Sequence, residues 1–298
     1  MEDNKIDYSE TNILVCCHKP CELPKEDYFL PVHVGAAISN YNLGIQRDDQ
    51  CNGQACDNIS SKNKNFCELT GLYWGWKNLT SPYKGLCHYR RFFDFKGQHP
   101  IEYLDGYDIV IASPVVLPNR ASDQLMNLTT REDFYIMIMA IMKLYPEYKN
   151  SLFKYLFNSN RCSRLNMLFG RKEIYDGYCS WLFSIFNEME KWIRISKYTR
   201  LSRLYGYLSE YLPFVYCKHN NLKIKYAEVL DCPPEKCKNN TNSHIIRINS
   251  FKTTLVKDLI FTLYSKLSKF PILEALGVGF KADGIPYIDE DGNIIEPK

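Results

Sequence analysis

The sequence predicts an α/β domain built on a mostly parallel sheet. Two observations carry this: short apolar runs alternate with longer stretches of helical period, and charged clusters follow the apolar runs. With 298 residues, 45% hydrophobic and 24% charged, the chain is long enough to bury one large core.

Residues 12–17, NILVCC, form a first buried strand that leaves the sheet at Pro20. Residues 29–39 read as a second, weaker strand or a loop. The polar, turn-rich stretch 47–65 reads as a long loop, and long loops in compact domains are more often functional than idle. Over 66–79, Leu69, Leu72, Tyr73 and Trp76 recur at helical spacing. Strand-like runs follow at 84–93, KGLCHYRRFF, and 107–113, YDIVIAS. Helical patterns cover 131–158 and 173–197, a further helix runs up to Pro213, and 222–230 reads as a late strand.

After residue 235 the composition becomes that of a linker. This divides the chain into residues 1–235 and a C-terminal part, 236–298. There Lys252, Lys257, Lys266 and Lys269 are interleaved with Leu255, Leu259, Leu263 and Leu267 at steps of four. Such a helix either packs on the core or lies on an anionic membrane.

A net charge of +3 is too mild to argue for nucleic acid. The N-terminal residues resemble no signal peptide, so reduced cysteines and a cytoplasmic protein are expected. The pairs Cys51/Cys56 and Cys232/Cys237 are spaced more widely than a zinc knuckle, with no histidine at a zinc-like offset. The motifs GxGxxG, GxxxxGK[ST], GxSxG and HExxH are absent, which removes the commonest dehydrogenase, NTPase, hydrolase and zincin assignments.

In parallel α/β sheets ligands sit outside the carboxyl ends of strands. His18 and Lys19 follow the first apolar run, while His88, Arg90 and Arg91 end the second. Guanidinium forks match phosphate oxygens bidentately, so an anionic ligand is expected there. Asp57, Asn58, Ser60 and Asn63 offer short polar side chains to a ligand, or Asp57 or Ser60 merely caps a helix. Glu68 and Lys77 face either a pocket or solvent, and Trp76 is either core or a stacking platform for a ligand. Glu210 lies in the aromatic segment YGYLSEYLPF. A partly desolvated carboxylate there has its pKa raised into the range of a general base, unless it is ion-paired with Arg200 or Arg203. Asp94 and Asp108 flank the arginines and are candidate metal ligands.

The segments ILVCCHKP, DNISSKNKNFCELTGLYWGWKNL, YKGLCHYRRFF, LNMLFGRKEIYDGYCSWLFSIFNEMEK and RLYGYLSEYL occur in this order over about residues 11–232. Together they resemble the bacterial capsular-polysaccharide and O-antigen synthesis proteins long described only as a domain of unknown function. The resemblance implies a glycosyltransferase of GT-A-like fold. Some such proteins move galactofuranose or galactose from a UDP-sugar to a lipid-linked saccharide, here at the cytoplasmic face of the inner membrane.

By the same resemblance, His18, Lys19, Asp57, Asn58, Ser60, Asn63, His88, Arg90 and Arg91 would bind the nucleotide sugar. Glu68, Trp76, Lys77 and Asn166 would contact acceptor or sugar, and Glu210 would be catalytic. Typical GT-A enzymes hold Mn²⁺ or Mg²⁺ on an Asp-x-Asp motif where this chain reads HYRR. The arginines are expected to take over the cation's electrostatic part, with Asp94 and His88 as ligands if a divalent cation is used. The alternative expectation is a non-catalytic nucleotide-sugar- or carbohydrate-binding protein of the same fold.

Overall fold

The computed structural model describes residues 10–195 and 199–231. Beyond them it describes residue 233 and the short pieces 255–257, 259–260, 262–263, 287–288 and 294–295. The chain opens with β1 (Thr11–Cys17), β2 (Phe29–His33), β3 (Gln46–Arg47) and the hairpin of β4 (Gln50–Cys51) and β5 (Gln54–Ala55). Helices α1 (Asn63–Phe66) and α2 (Leu69–Asn78) lead to β6 (Tyr83–His88), β7 (Phe92–Asp94), α3 (Pro100–Leu104), β8 (Ile109–Ala112) and β9 (Val115–Val116). Helices α4 (Ala121–Leu128), α5 (Arg131–Leu144) and α6 (Lys149–Leu152) precede β10 (Arg161–Cys162) and β11 (Leu168–Arg171). Then come α7 (Lys172–Met189), α8 (Thr199–Ser202), α9 (Leu204–Ser209), α10 (Leu212–His219) and β12 (Ile224–Leu230).

Eight strands form one sheet in the order β3-β2-β1-β6-β11-β8-β12-β7. The pairs β3–β2, β2–β1, β1–β6 and β8–β12 are parallel. β11 runs antiparallel between β6 and β8, and β7 antiparallel beside β12. The sheet is therefore mostly parallel, as expected, and the GT-A-like arrangement is present. From β1 the chain steps outward to β2 and β3, then returns to the other side of β1 as β6. That reversal opens a crevice at the carboxyl ends of β1 and β6.

Both faces of the sheet are covered, so its strands read as continuous apolar runs. Leu14, Cys16 and Leu86 face a core shared with α2, α5 and α7, while Ile13, Val15 and Cys87 face a second core with Phe92, Phe93 and Phe95. Helix α2 lies directly on β1 because two glycines four apart share its inner face. A Cβ on Gly71 would come within 2.7 Å of Cys16 Sγ, and one on Gly75 within 2.6 Å of Leu14 Cδ1. This close approach holds the start of α2, with Glu68 at its N-cap, against the carboxyl edge of the sheet.

Several elements differ from the sequence expectation. The run 84–93 is not one strand. Tyr89 and Arg90 form a turn between His88 and Arg91, whose backbones exchange hydrogen bonds, and Arg91 leads into β7. The 66–79 helix is broken at Cys67, where φ is +53°. Pro213 does not end a helix; it sits in the first turn of α10, where its missing N–H costs nothing. Cys51 and Cys56 form a disulfide that closes the β4–β5 hairpin, where reduced thiols were expected, because the turn brings their Cα atoms to 5.7 Å. Cys232 and Cys237 lie outside the described residues. Among the described residues no helix is long and apolar enough to cross a membrane.

Candidate functional site

His18 and Lys19 leave β1 just where the turn of Tyr89 and Arg90 leaves β6. The Tyr89 amide donates to the Cys16 carbonyl at 3.2 Å, tying the turn back to β1. Three cationic or ionisable groups then gather on one ring: His18 meets Tyr89 edge-on at 4.9 Å, Lys19 Nζ lies 5.6 Å from its centroid and the Arg90 guanidinium 5.5 Å. Partial desolvation, then the charges of Lys19, Arg203 and Arg90, push the His18 imidazole below its usual pKa. His18 is therefore close enough to feel the charges of Lys19, Arg90 and Arg203.

On the other side of β6, His88 Nε2 donates to the Leu165 carbonyl at 2.5 Å. A carbonyl can only accept, so this bond fixes the tautomer and turns Nε2 away from any metal. Leu165 and Asn166 have φ of +87° and +55°, a conformation that is costly for non-glycine residues and clusters at functional sites. The Asn166 amide donates to Glu68 Oε1 at 2.7 Å and to the Gly206 carbonyl of α9 at 3.2 Å. Asn166 is 2% exposed, and its Oδ1 has no partner. One strained segment thus joins β6, the start of α2 and α9.

Helix α9 ends in Glu210, which is its C-cap. Burial first, then the charge of Glu68, raise the Glu210 carboxyl to about 7, against the opposing pull of Arg164, Arg91 and Arg203. Arg203 Nε also donates to Cys67 Sγ at 3.2 Å. Burial and Glu68 push that thiol up to about 11 despite Arg203. No ion pair forms between Glu210 and Arg203, and the Arg200 side chain lies outside the described residues. Among the described residues, Lys19, Arg90, Arg91 and Arg164 likewise have no carboxylate in ion-pair contact. Such a site can bind an anion through several donors and hold a neutral-range carboxyl beside it.

The structure thus brings together His18, Lys19, Glu68, His88, Arg90, Arg91, Asn166 and Glu210. The other candidates are engaged by partners within the chain. Tyr73 donates to Asp57 at 3.1 Å, and Asn58 closes an Asx-type turn by accepting from the Ser60 amide at 3.0 Å. Ser60 is fully buried and donates to Asp48, which also accepts from the Gly35 and Ala36 amides. Asn63 donates to the Cys67 carbonyl at 2.7 Å and to Thr70. These four side chains brace the loops around the crevice.

Trp76 and Lys77 lie at the far end of α2, about 12 Å along the helix from Glu68. Trp76 stacks on Phe183 at 5.8 Å, and Lys77 Nζ lies 3.6 Å from the Trp76 centroid. Asp94 is engaged by the side chain and amide of Lys96, and Asp108 accepts from the Lys223 amide at 2.7 Å. Among the described residues no three His, Cys, Asp or Glu side chains converge to hold a metal ion. Sequence reasoning missed Arg164 as a member of the site, and saw Arg203 only as a partner for Glu210. Both are isolated in sequence and arrive through long-range packing, which leaves no local signal.

A Rossmann-like α/β protein with an anion-receptive cluster at its topological switch point is what fold and site together define. The chain belongs to the family described as a domain of unknown function (DUF4422), whose model matches residues 12–221. A solved apo structure of the WbbM bifunctional glycosyltransferase is similar, with 27% identity and a TM-score of 0.66 over 74% of this chain and 45% of that one. The chain therefore spans less than half the length of that enzyme. No curated protein matches the chain.

Proposed function

We propose that this protein is a glycosyltransferase that takes its sugar from a nucleotide-sugar donor. The observation that carries the reading is the set of cations at the switch point, Lys19, Arg90 and Arg91, which have no ion pair among the described residues, with Arg91 near enough to act on the charge of Glu210. The likeness to part of a bifunctional glycosyltransferase supports it. In this reading Arg90 and Arg91 hold the donor diphosphate. Glu210 accepts the proton of the acceptor hydroxyl while that oxygen bonds to the anomeric carbon. The sugar–phosphate bond breaks, and its electron pair stays on the diphosphate, whose growing charge the guanidiniums stabilise. His18 and Tyr89 line the entry for the nucleoside.

The donor class proposed is UDP-galactose or UDP-galactofuranose, and the acceptor a lipid-linked saccharide of capsule or O-antigen assembly. With arginines at the diphosphate, transfer is expected to survive EDTA. Loss with chelator and rescue by Mn²⁺ would assign that role to a metal instead. A lipid-linked acceptor requires a visit to the inner membrane's cytoplasmic face. In the tail, Leu255, Val256, Leu259, Ile260 and Leu263 are exposed on helical residues, as an interfacial helix requires. Removing residues 245–298 should then weaken binding to anionic vesicles, and undiminished binding would sink this part.

The test of the whole reading is UDP release from a panel of UDP-sugars, with and without a lipid-pyrophosphate saccharide acceptor. Acceptor-dependent release from one donor is expected. Absence of both release and donor binding across the panel would overturn it.

A further inference from the structure

Arg164 stands between β10 and β11, and every residue around it is anchored. Ser163 Oγ donates to the Ala112 carbonyl at 2.7 Å, at the end of β8. The Leu165 carbonyl accepts from His88, and Asn166 is tied to Glu68 and Gly206. The left-handed backbone of Leu165 and Asn166 is held in place by these contacts. Among the described residues the Arg164 side chain is not anchored in this way. Its Nε–H is buried without an acceptor, and no ion pair reaches its guanidinium among the described residues. A buried unpaired donor is costly, and one fixed on a strained, triply anchored segment is well placed to receive an acceptor from outside the chain.

The position of that acceptor follows from the neighbours. Leu165 is bonded to His88, and His88 is bridged to Arg91, so Arg164 and Arg91 each adjoin one end of a single hydrogen bond between β6 and the β10–β11 connection. Both lie close enough to Glu210 to act on its charge. The Tyr89–Arg90 turn instead leans towards β1 through the Tyr89 amide. We infer that Arg164 is a phosphate-binding residue of this site, gripping a diphosphate from the β11 side of β6 while Arg90 and Arg91 grip it from the turn. A planar guanidinium with a free Nε–H offers the fork that two phosphate oxygens accept. The inference rests on the reading of the site as one for a nucleoside diphosphate, and it sets the diphosphate next to Glu210.

The test is calorimetric titration of the full chain with UDP and, separately, with inorganic pyrophosphate. Arg164→Ala is expected to weaken both by roughly tenfold to a hundredfold, the usual effect of losing a charged hydrogen bond. Arg171→Ala, exposed at the opposite edge of the sheet, serves as the control and should bind as the parent does. If the alanine variant does not fold, Arg164→Gln, which keeps most of the length and loses the charge, decides in its place. Parent-like affinity in a folded Arg164 variant would overturn the assignment while leaving the nucleotide-sugar reading intact. A parent protein that binds neither probe would overturn that reading itself.

Discussion

The two ends of β6 treat positive charge in opposite ways. Near its amino end Lys84 is 1% exposed, yet its ammonium lies 2.9 Å from Asp176 and donates to the Gly75 carbonyl at 3.2 Å. Lys172 pairs with the same aspartate. Desolvation lowers the Lys84 pKa, and Asp176 opposes the shift. Lys84, Lys172 and Asp176 answer one another within the fold. Past the carboxyl end of the same strand, Arg90 and Arg91 have no carboxylate in ion-pair contact among the described residues, and the neighbouring backbone adopts conformations that cost energy. The amino end spends its charge on cohesion. The carboxyl end keeps its charge available, which is what a site for a charged ligand requires.

That contrast breaks first at Glu210. Exchanging Glu210 for Gln keeps size and most hydrogen bonding but removes the basic oxygen. General-base assistance is commonly worth about 10²–10⁴ in rate, so transfer should fall by that order while UDP still binds. Normal transfer by the Gln variant would move Glu210 from chemistry to structure.

Arg90→Ala and Arg91→Ala come next. Each should cost about 10²–10³ in turnover, the usual loss for one donor that stabilises developing charge. Neither should shift the unfolding midpoint appreciably, since surface changes usually stay within about 0.5 kcal/mol. A large loss of stability with unchanged turnover would make the two ends of β6 alike and remove the contrast.

Lys84→Ala should show the opposite profile. It removes a fully buried stem and its ion pair, which costs about 2–5 kcal/mol by analogy with other large-to-small core changes. Affinity for UDP should remain that of the parent in the folded fraction. Lys84→Met, which keeps the stem, should be the milder change, and denaturant midpoints for the pair would show it. Equal destabilisation by Ala and Met would mean that the charge, not the packed stem, holds this end.

Most of the frame was legible because strands buried on both faces are apolar throughout: NILVCC, KGLCH, YDIVIAS and KIKYAEVL all became strands of the sheet. β11 was not, because its residues LFGR are few and mixed, and its place between β6 and β8 is set by long-range pairing. HYRR was read as ligand-binding, but its turn was missed, since neither Tyr89 nor Arg90 is a turn-forming residue type. Asp57, Asn58, Ser60 and Asn63 looked like one polar cluster; Asn58 and Asn63 bond to nearby backbone, as short polar side chains readily do, while Asp57 and Ser60 meet the distant side chains of Tyr73 and Asp48. Arg164 was invisible. Nothing near it in sequence announces that Leu165 and Asn166 will fold left-handed and bring it to Glu210.

The smallest expected effect is one of stability, and it separates the two ends of β6 by pH. The Glu210 carboxyl is raised to about 7 by burial and by Glu68, with Arg91, Arg164 and Arg203 pulling the other way, whereas an unfolded glutamate titrates near 4.3. A carboxyl raised in the folded state binds its proton more tightly there. Its contribution to stability is complete below about pH 4 and is lost as pH rises through 7. Above pH 7 the protein carries a charge it is poorly built to hold, and Glu210→Gln removes that burden. The Gln variant should therefore gain about 1–3 kcal/mol over the parent at pH 8 and little at pH 4.5, read from denaturant midpoints at the two values. The same variant should be the least active one, which is the trade expected of a carboxylate kept for chemistry. A gain that is equal at both pH values, or a loss at pH 8, would show that the arginines hold Glu210 ionised in the folded state. The carboxyl end of β6 would then be paired, as the amino end is.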